Sequence, residues 1–392
     1  MRKTTLVAAA ATLALSFGLG ACGQQAVSSS EPGQDQAASA ASQSTQSATN
    51  TASAVPNTLA QDEDALVSTY ASKFTQETYT DQNTGLSVTY NMYLPEGYDA
   101  SKSYPMVVFI ADSSCTGDDP TRSLTQGLGA VVWASAEWQA AHPTIVCVPT
   151  YPETILDDHG SYTTTEYVEL TKRLIDSVST NYAVDTNRIY GTGQSMGCMT
   201  TLILASEYPD LYAGCMFVDG QWDVSALKGL ETQRFVYFAA EDDTSAYSGL
   251  TEVKNMFDAD SVAYASAQWD GNWTPDQLSS AANELFSQGK DANFVTWKTG
   301  TIDAGNAGGG GPAGGPAGGP SDAGNAGGPS GNGPMGQGGP SGDSASGEAS
   351  GQNAGGPNGG PAGGGMGGAS YHMASFDYAY NCVAAMEWLF QK

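Results

Sequence analysis

A serine stands in the pentapeptide Gly193-Gln194-Ser195-Met196-Gly197, between a short apolar run and a segment with helical character. This G-x-S-x-G pattern is typical of a nucleophile on a tight turn from a strand into a helix. On such a turn the serine hydroxyl is exposed and lies beside the first amides of the helix. The two glycines are expected because the surrounding backbone comes too close for a β-carbon. Ser195 is therefore the candidate nucleophile.

The hydroxyl of a serine needs a base, which is most often an imidazole oriented by a carboxylate. The chain has three histidines, and two of them, His142 and His159, precede Ser195. His372 follows the last predicted strand. Where the nucleophile lies on a G-x-S-x-G turn, the chain order is serine, acid, histidine. We therefore predict that His372 is the catalytic base.

The acid is expected just past a strand that lies between the serine and the histidine. An apolar run at 235–240 ends in Glu241-Asp242-Asp243-Thr244, which makes Asp243 the first choice and Asp242 the second. Asp219, which follows the preceding strand, is a third candidate. The alternative for Asp242 and Asp243 is a solvated turn or a helix cap.

An oxyanion formed at Ser195 needs amide donors. The amide of Met196, at the start of the helix, is one, and the loop after Ile110 should supply the second. Many hydrolases carry His-Gly in that loop, whereas this chain has Ala111-Asp112-Ser113. Because the donor is a backbone group, the replacement does not remove it. Counting from the strand selects Ser113, with Asp112 and Ser114 as the alternatives.

The elements that must position these residues alternate between strands and helices. Strands are predicted at 73–79, 86–94, 106–110, 144–148, 188–191, 212–218, 234–240 and 294–297. Helices are predicted at 129–141, 163–182, from the turn at Ser195 to about 207, and at 378–389, and segments 250–257 and 275–288 have helical character. This alternation predicts a doubly wound, mostly parallel α/β sheet. Together with the G-x-S-x-G turn it favours an α/β-hydrolase fold.

The chain begins with a segment that is typical of a secretory signal. Residues 1–21 carry Arg2 and Lys3, then an apolar run that is shorter than the about 20 residues of a membrane-spanning helix. The ending Leu19-Gly20-Ala21-Cys22 resembles the lipobox of bacterial lipoproteins. That resemblance implies cleavage before Cys22, lipidation of its thiol and an extracytoplasmic, cell-surface protein anchored to the membrane by Cys22. The alternative is an ordinary cleaved signal.

Two segments have too few large apolar side chains to form a core. Residues 22–61 are rich in Ser, Ala, Gln and Thr, and we expect a disordered stalk. Residues 303–370 are rich in Gly, Pro and Ala, and we expect a disordered insertion before His372 that is dispensable for catalysis. The α/β-hydrolase domain would then comprise 62–302 and 371–392.

Composition limits the partners. A net charge of −27 makes nucleic acid an unsuitable partner, because phosphate binding needs a basic face. It also disfavours attraction to anionic lipid, so that membrane contact would come only through lipidated Cys22. Five further cysteines show neither a C-x-x-C pair nor zinc-ligand spacing, and no metal or other cofactor is expected. We expect several of these cysteines to be small buried apolar residues.

Four stretches together resemble exported α/β-hydrolases of the feruloyl esterase and polyhydroxybutyrate depolymerase type, which are often grouped with the prolyl oligopeptidase family. They are YLPEGY at 93–98, VDTNRIY at 184–190, the G-x-S-x-G turn, and WLF at 388–390. The resemblance implies ester hydrolysis through an acyl-enzyme and without a cofactor, with peptidase activity in rarer members. The missing His-Gly and the glycine-rich insertion depart from that pattern.

The sequence thus predicts a serine hydrolase that cleaves carboxylic esters of small molecules or polymers with Ser195, His372 and Asp243. Serine exopeptidase or oligopeptidase activity is the alternative, and the lack of a propeller domain favours esters. A second alternative is a non-catalytic surface binding module. Trp222 is a candidate substrate-pocket residue, which Trp269 or Trp273 could join, with core packing as the alternative for each.

Overall fold

The computed structural model describes residues 61–304 and 367–391. The strands within these ranges are β1 Thr75–Thr80, β2 Ser87–Tyr93, β3 Tyr104–Ile110, β4 Ile145–Thr150, β5 Leu156–Asp157, β6 Thr163–Thr164, β7 Val184–Gln194, β8 Gly214–Val218, β9 Phe235–Ala240, β10 Tyr264–Trp269 and β11 Ala292–Trp297. The α-helices are α1 Glu63–Tyr70, α2 Arg122–Thr125, α3 Leu128–Val131, α4 Ala136–Ala141, α5 Glu166–Asn181, α6 Met196–Glu207, α7 Thr244–Ala259, α8 Pro275–Phe286, α9 Gly367–Tyr380 and α10 Val383–Phe390.

Nine strands form one sheet in the order β1-β2-β4-β3-β7-β8-β9-β11-β10. β2 pairs antiparallel with β1 and with β4, and the other neighbouring pairs are parallel. β5 and β6 form a separate two-stranded hairpin. The predicted α/β-hydrolase fold with a mostly parallel sheet is confirmed.

Strands β3, β8 and β9 are buried along their whole length because helices cover both faces of the sheet. Successive residues of β3 alternate between two cores: Val107 and Phe109 face one, and Met106, Val108 and Ile110 face the other. Buried residues of α1, α3, α4, α8, α9 and α10 belong to the first core, and those of α5, α6 and α7 to the second.

This topology brings four loops to one edge of the sheet. β3, β7, β8 and β9 are neighbours and run parallel, so their carboxyl ends lie side by side. In sheets of this kind ligands bind beyond the carboxyl ends of the strands. Asp112, Ser195, Asp219 and Asp243 all lie within a few residues of these strand ends.

Two predicted helices and one strand that we did not predict need correction. The helix predicted over 129–141 is divided into α3, a 3-10 turn at Val132–Ala134 and α4, because Ser135 is extended and caps α4 through the amide of Trp138. The region between 258 and 274 contains β10, which we did not predict. His372 lies inside α9, whereas we expected it before a closing helix that begins at 378.

The segments expected to be a signal, a stalk and an insertion fall largely outside the described residues, as does Cys22. The proposed division into domains therefore stays a prediction. α9 begins at Gly367, four residues inside the expected insertion. In the described ranges, no helix combines the length and apolar character that a bilayer-crossing segment needs. Cys115, Cys147, Cys198 and Cys215 are buried thiols outside any disulfide.

Candidate active site

Ser195 lies at the sharp turn between β7 and α6. Its backbone has φ 51° and ψ −119°, a conformation that is strained for any residue with a β-carbon. The amide of Ser195 donates to the carbonyl of Val218 at 3.1 Å, which fixes the turn to the end of β8. Ser195 is partly exposed between buried Gln194 and buried Met196. The turn therefore presents this side chain at the surface of a rigid, buried junction.

The glycines of the turn are required by close backbone contacts. A β-carbon on Gly197 would lie 1.8 Å from the carbonyl oxygen of Ile110, and one on Gly193 would lie 2.4 Å from the carbonyl carbon of Gly197. Both distances are far inside van der Waals contact. The first helical turn of α6 is thus packed directly on the end of β3.

Asp243 and His372 are hydrogen-bonded to each other. His372 Nδ1 lies 2.5 Å from Asp243 Oδ2. The other carboxylate oxygen of Asp243 accepts from the amides of Ser245 and Ala246 at 3.2 Å each, which caps α7. Asp243 is only 6% exposed, and the side chain of His372 is 23% exposed. The carboxylate therefore serves as the helix cap and as the partner of His372 at once.

The competing residues are engaged elsewhere. Asp242 Oδ2 accepts from the amide of Gly300 at 2.7 Å. His142 Nε2 lies 2.9 Å from Glu387 Oε1 on α10, and the side chain of His159 is 89% exposed. The hydrogen bonds of the described residues do not include one between Ser195 Oγ and His372. In enzymes without bound substrate such bonds are often long, and they tighten only in the complex.

The surroundings of His372 favour its protonated form. Burial lowers the pKa of His372, but the hydrogen bond and the charge of Asp243 outweigh burial, and Asp219 and Asp112 raise the pKa further. The net result is a pKa above the ordinary value of 6.5. Phe376, one turn later on α9, covers the ring edge-on with centroids 4.9 Å apart. His372 is thus a stronger base than a free imidazole, and its ring is partly covered.

In the loop after β3, hydrogen bonds within the loop occupy three of the backbone amides. The amide of Ser114 donates to Asp112 Oδ1 at 2.6 Å, that of Cys115 to the Asp112 carbonyl at 3.2 Å, and that of Thr116 to the Ser113 carbonyl at 3.3 Å. Ser114 is therefore not available as the donor. Among the described residues nothing accepts from the amides of Ser113 or Asp112, and of these two residues only Ser113 is exposed.

A pair of glutamines joins this loop to the nucleophile turn. Gln126 Nε2 donates to Asp112 Oδ2 and, at 3.0 Å, to Ser114 Oγ. Gln126 Oε1 accepts at 3.0 Å from Gln194 Nε2, directly before Ser195. We did not predict this network, since nothing in the sequence around Gln126 distinguishes it from an ordinary surface glutamine. Asp112 thereby occupies the place of the missing His-Gly and is 3% exposed.

Trp222 is part of the core. It is 5% exposed, and Tyr162 of the β5–β6 hairpin packs on it edge-to-face with centroids 5.2 Å apart. Trp269 is also buried, and Trp273 is partly buried against the same core as α8. Trp222 could therefore contact a substrate only if Tyr162 moved away from it.

The sequence comparisons identify the family. Residues 82–303 match the model of the Esterase family. The chain belongs to this family. It is an esterase-family hydrolase with an α/β-hydrolase fold. The prediction of an esterase is confirmed at this level, whereas the roles of individual residues stay predictions.

Individual relatives match less extensively. A 49-residue stretch is 37% identical to poly(3-hydroxyalkanoate) depolymerase C of Paucimonas lemoignei and covers 12% of each protein. A thermostable esterase structure is 23% identical, with a TM-score of 0.48 over 61% of this chain and 58% of the other. The feruloyl esterase module from Clostridium thermocellum, a mutant complexed with sinapinate, is 16% identical, with a TM-score of 0.40 over 63% and 84%.

Proposed function

We propose that this esterase cleaves carboxylic esters through an acyl-enzyme on Ser195, with His372 as general base and acid and Asp243 as its orienting partner. The observation that carries the proposal is the 2.5 Å bond between Asp243 and His372 at the strand edge that also presents Ser195. The order of the three residues along the chain agrees with it. Family membership supplies the ester as the bond that is cleaved.

In the first half-reaction Ser195 Oγ attacks the carbonyl carbon of the ester, and His372 Nε2 takes the hydroxyl proton. Asp243 holds the proton on Nδ1, so Nε2 has its lone pair available for this transfer. The amides of Met196 and Ser113 donate to the oxyanion of the tetrahedral intermediate. The carbon–oxygen bond to the alcohol then breaks, and the imidazolium of His372 returns the proton to the departing oxygen.

In the second half-reaction a water molecule replaces the alcohol. His372 removes one proton from the water, whose oxygen attacks the acyl carbon of the ester on Ser195. Collapse of the intermediate breaks the bond to Ser195 Oγ, and His372 gives the proton back to that oxygen. The products are a carboxylic acid and the regenerated serine, and no external acceptor or donor is needed.

Labelling with a fluorophosphonate tests the assignment directly, because this reagent reacts only with an activated serine. We expect the wild type and two control variants, Ser68→Ala at an exposed position of α1 and His159→Ala in an exposed loop, to be labelled. Ser195→Ala and His372→Ala should not be labelled. Folded wild type that resists labelling would favour a binding module instead.

A substrate panel then separates the two kinds of hydrolase. Proteins of this class are expected to turn over p-nitrophenyl acetate and butyrate faster than aminoacyl p-nitroanilides, since an ester alcohol leaves more easily than an amine. A higher kcat/KM for the anilides would identify a peptidase and contradict the ester assignment.

We also propose that the protein is exported and anchored by lipid on Cys22. The basic start, the apolar run and Leu19-Gly20-Ala21-Cys22 support this proposal. Full-length protein expressed in bacteria should incorporate a labelled fatty acid and sediment with membranes, whereas Cys22→Ala should do neither. Unlabelled wild type in the soluble extracellular fraction would indicate an ordinary cleaved signal.

A further inference from the structure

A second carboxyl group lies beneath the Asp243–His372 pair. Asp219 directly follows β8, has φ 44°, and is 0% exposed. Its Oδ1 accepts from the amide of Ala240 at 2.8 Å, and its Oδ2 lies 2.7 Å from Ser375 Oγ. Asp219 thus bridges the end of β9, which carries Asp243, and α9, which carries His372.

The hydroxyl of Ser375 has two oxygen atoms within hydrogen-bond distance, and this bears on the protonation state of Asp219. Ser375 Oγ lies 2.7 Å from Asp219 Oδ2 and 2.9 Å from the carbonyl oxygen of His372. The hydroxyl has one hydrogen, and the carbonyl oxygen can only accept. Both contacts are full two-centre hydrogen bonds if Asp219 supplies a second hydrogen; with an ionised Asp219 the two acceptors would have to share the one hydroxyl hydrogen. A carboxylic acid at Asp219 donates to Ser375, which then donates to His372.

The charges around Asp219 favour the same state. The titratable groups that act on it or feel its charge are Asp243 after β9, His372 and Tyr380 on α9, Cys198 on α6, and Tyr237 on β9. Burial, and next the charge of Asp243, raise the pKa of Asp219 to about 7, against the opposing effects of His372 and of the hydrogen bonds with Ala240 and Ser375. Two buried carboxylates beside a single imidazole would leave one charge uncompensated.

We propose that Asp219 is a positioning residue that works as a neutral carboxylic acid and holds the helix of His372 against the strand end that carries Asp243. The part of this proposal that concerns catalysis rests on the function proposed above. Its consequence is that, of the two carboxyl groups Asp219 and Asp243, only Asp243 is an anion, as the direct partner of the imidazole. This bridge is also connected to the nucleophile turn, because the amide of Ser195 donates to the carbonyl of Val218, the residue before Asp219.

The isosteric variant Asp219→Asn tests the protonation state. Its side-chain oxygen can accept from Ala240, and its amide group can donate to Ser375, as the acid would. We expect kcat/KM for p-nitrophenyl acetate at pH 6 to stay within about threefold of wild type, while Asp243→Asn loses about 10⁴-fold. An equal loss in both variants would show that Asp219 acts as a carboxylate.

Urea unfolding as a function of pH gives a readout that does not depend on activity. An acid whose pKa rises on folding binds more protons in the folded state, so its contribution to stability falls as the pH rises from the unfolded to the folded pKa. The ratio of the unfolding constants of wild type and Asp219→Asn should therefore increase between pH 4 and 7, approaching tenfold per unit. The exposed carboxyl of Asp210 provides the control variant Asp210→Asn, for which no such slope is expected.

The activity and unfolding measurements distinguish failure of this proposal from failure of the proposed function. If Asp219 were ionised and stabilised in the fold, the ratio would increase as the pH falls below about 4, which overturns the proposal. If wild type hydrolysed no ester, the proposed function would fail, whereas the slope of the unfolding ratio would still decide the state of Asp219.

Discussion

Replacing Asp243 by Asn should inactivate the enzyme without unfolding it. In the wild type Oδ1 caps α7 through two amides at 3.2 Å each, and Oδ2 accepts from His372 Nδ1. The asparagine oxygen is expected to keep the cap, because the opposite orientation would point an NH₂ group at two N–H donors. The NH₂ group then faces His372 and donates to Nδ1.

The expected loss follows from the tautomer of His372. When Nδ1 becomes an acceptor, the ring proton moves to Nε2, which must accept the proton of Ser195. Enforcing the wrong tautomer in a Ser-His-Asp triad lowers kcat about 10⁴-fold, or about 5.5 kcal/mol at 1.36 kcal/mol per decade. The stability should change by only about 1 kcal/mol, since the cap is preserved.

Asp242→Asn is the matched control. Asp242 is the preceding residue and also carries a bonded carboxylate, but its partner is the amide of Gly300 at 2.7 Å. Initial rates with p-nitrophenyl acetate from pH 5 to 9, together with urea unfolding, measure both quantities for both variants. We expect Asp242→Asn to keep kcat within about threefold of wild type. Asp243→Asn with more than a tenth of the wild-type kcat, or an equal loss in Asp242→Asn, would refute the assignment.

Three further substitutions test the oxyanion loop and the turn. Ser113→Pro removes the amide hydrogen and the side-chain hydroxyl, and it suits the extended backbone of Asp112, whose ψ is 174°. It should lower kcat about 10²–10³-fold, while Ser113→Ala, which removes only the hydroxyl, should not. Equal rates in the two variants would exclude this amide. Asp112→Asn removes a charge that raises the pKa of His372, so the acidic limb of kcat/KM should move to lower pH; an unchanged limb would contradict the coupling. Gly197→Ala places a β-carbon 1.8 Å from the carbonyl oxygen of Ile110 and should lower the free energy of unfolding in urea by about 3 kcal/mol or more. An unchanged free energy of unfolding would contradict this close packing.

The fold was predictable because a parallel sheet leaves a strong signal in the sequence. Strands covered on both faces, such as β3 and β9, are continuous apolar runs, and the helices between them have their own period. β10 gives no such signal, since it lies at the sheet edge with exposed positions at Ser266 and Gln268. The helix expected at 129–141 failed for a different reason: Ser135 ends one helical segment and caps the next, which periodicity alone does not reveal.

The site was predictable only where the chemistry restricts the residue type. A nucleophile turn, a histidine after it and an acid at a strand end can be ordered along the chain, and this selected Asp243 and His372, which the structure brings within 2.5 Å. The backbone amides that would bind the oxyanion cannot be identified from residue types. The choice between Ser113 and Ser114 depends on which amide Asp112 occupies, and that contact is visible only in the folded loop.

The distribution of acids around His372 also sets the pH at which the enzyme should work. Burial by itself would lower the pKa of the imidazole, whereas Asp243, Asp219 and Asp112 raise it, and their effect prevails. A higher pKa makes Nε2 a better acceptor for the proton of Ser195, but it requires a higher pH to keep the ring neutral. While Asp219 is protonated its charge is absent, so the charges of Asp243 and Asp112 produce this rise. The acids around His372 therefore strengthen the base and move the acidic limb of kcat/KM to higher pH than a free imidazole would give.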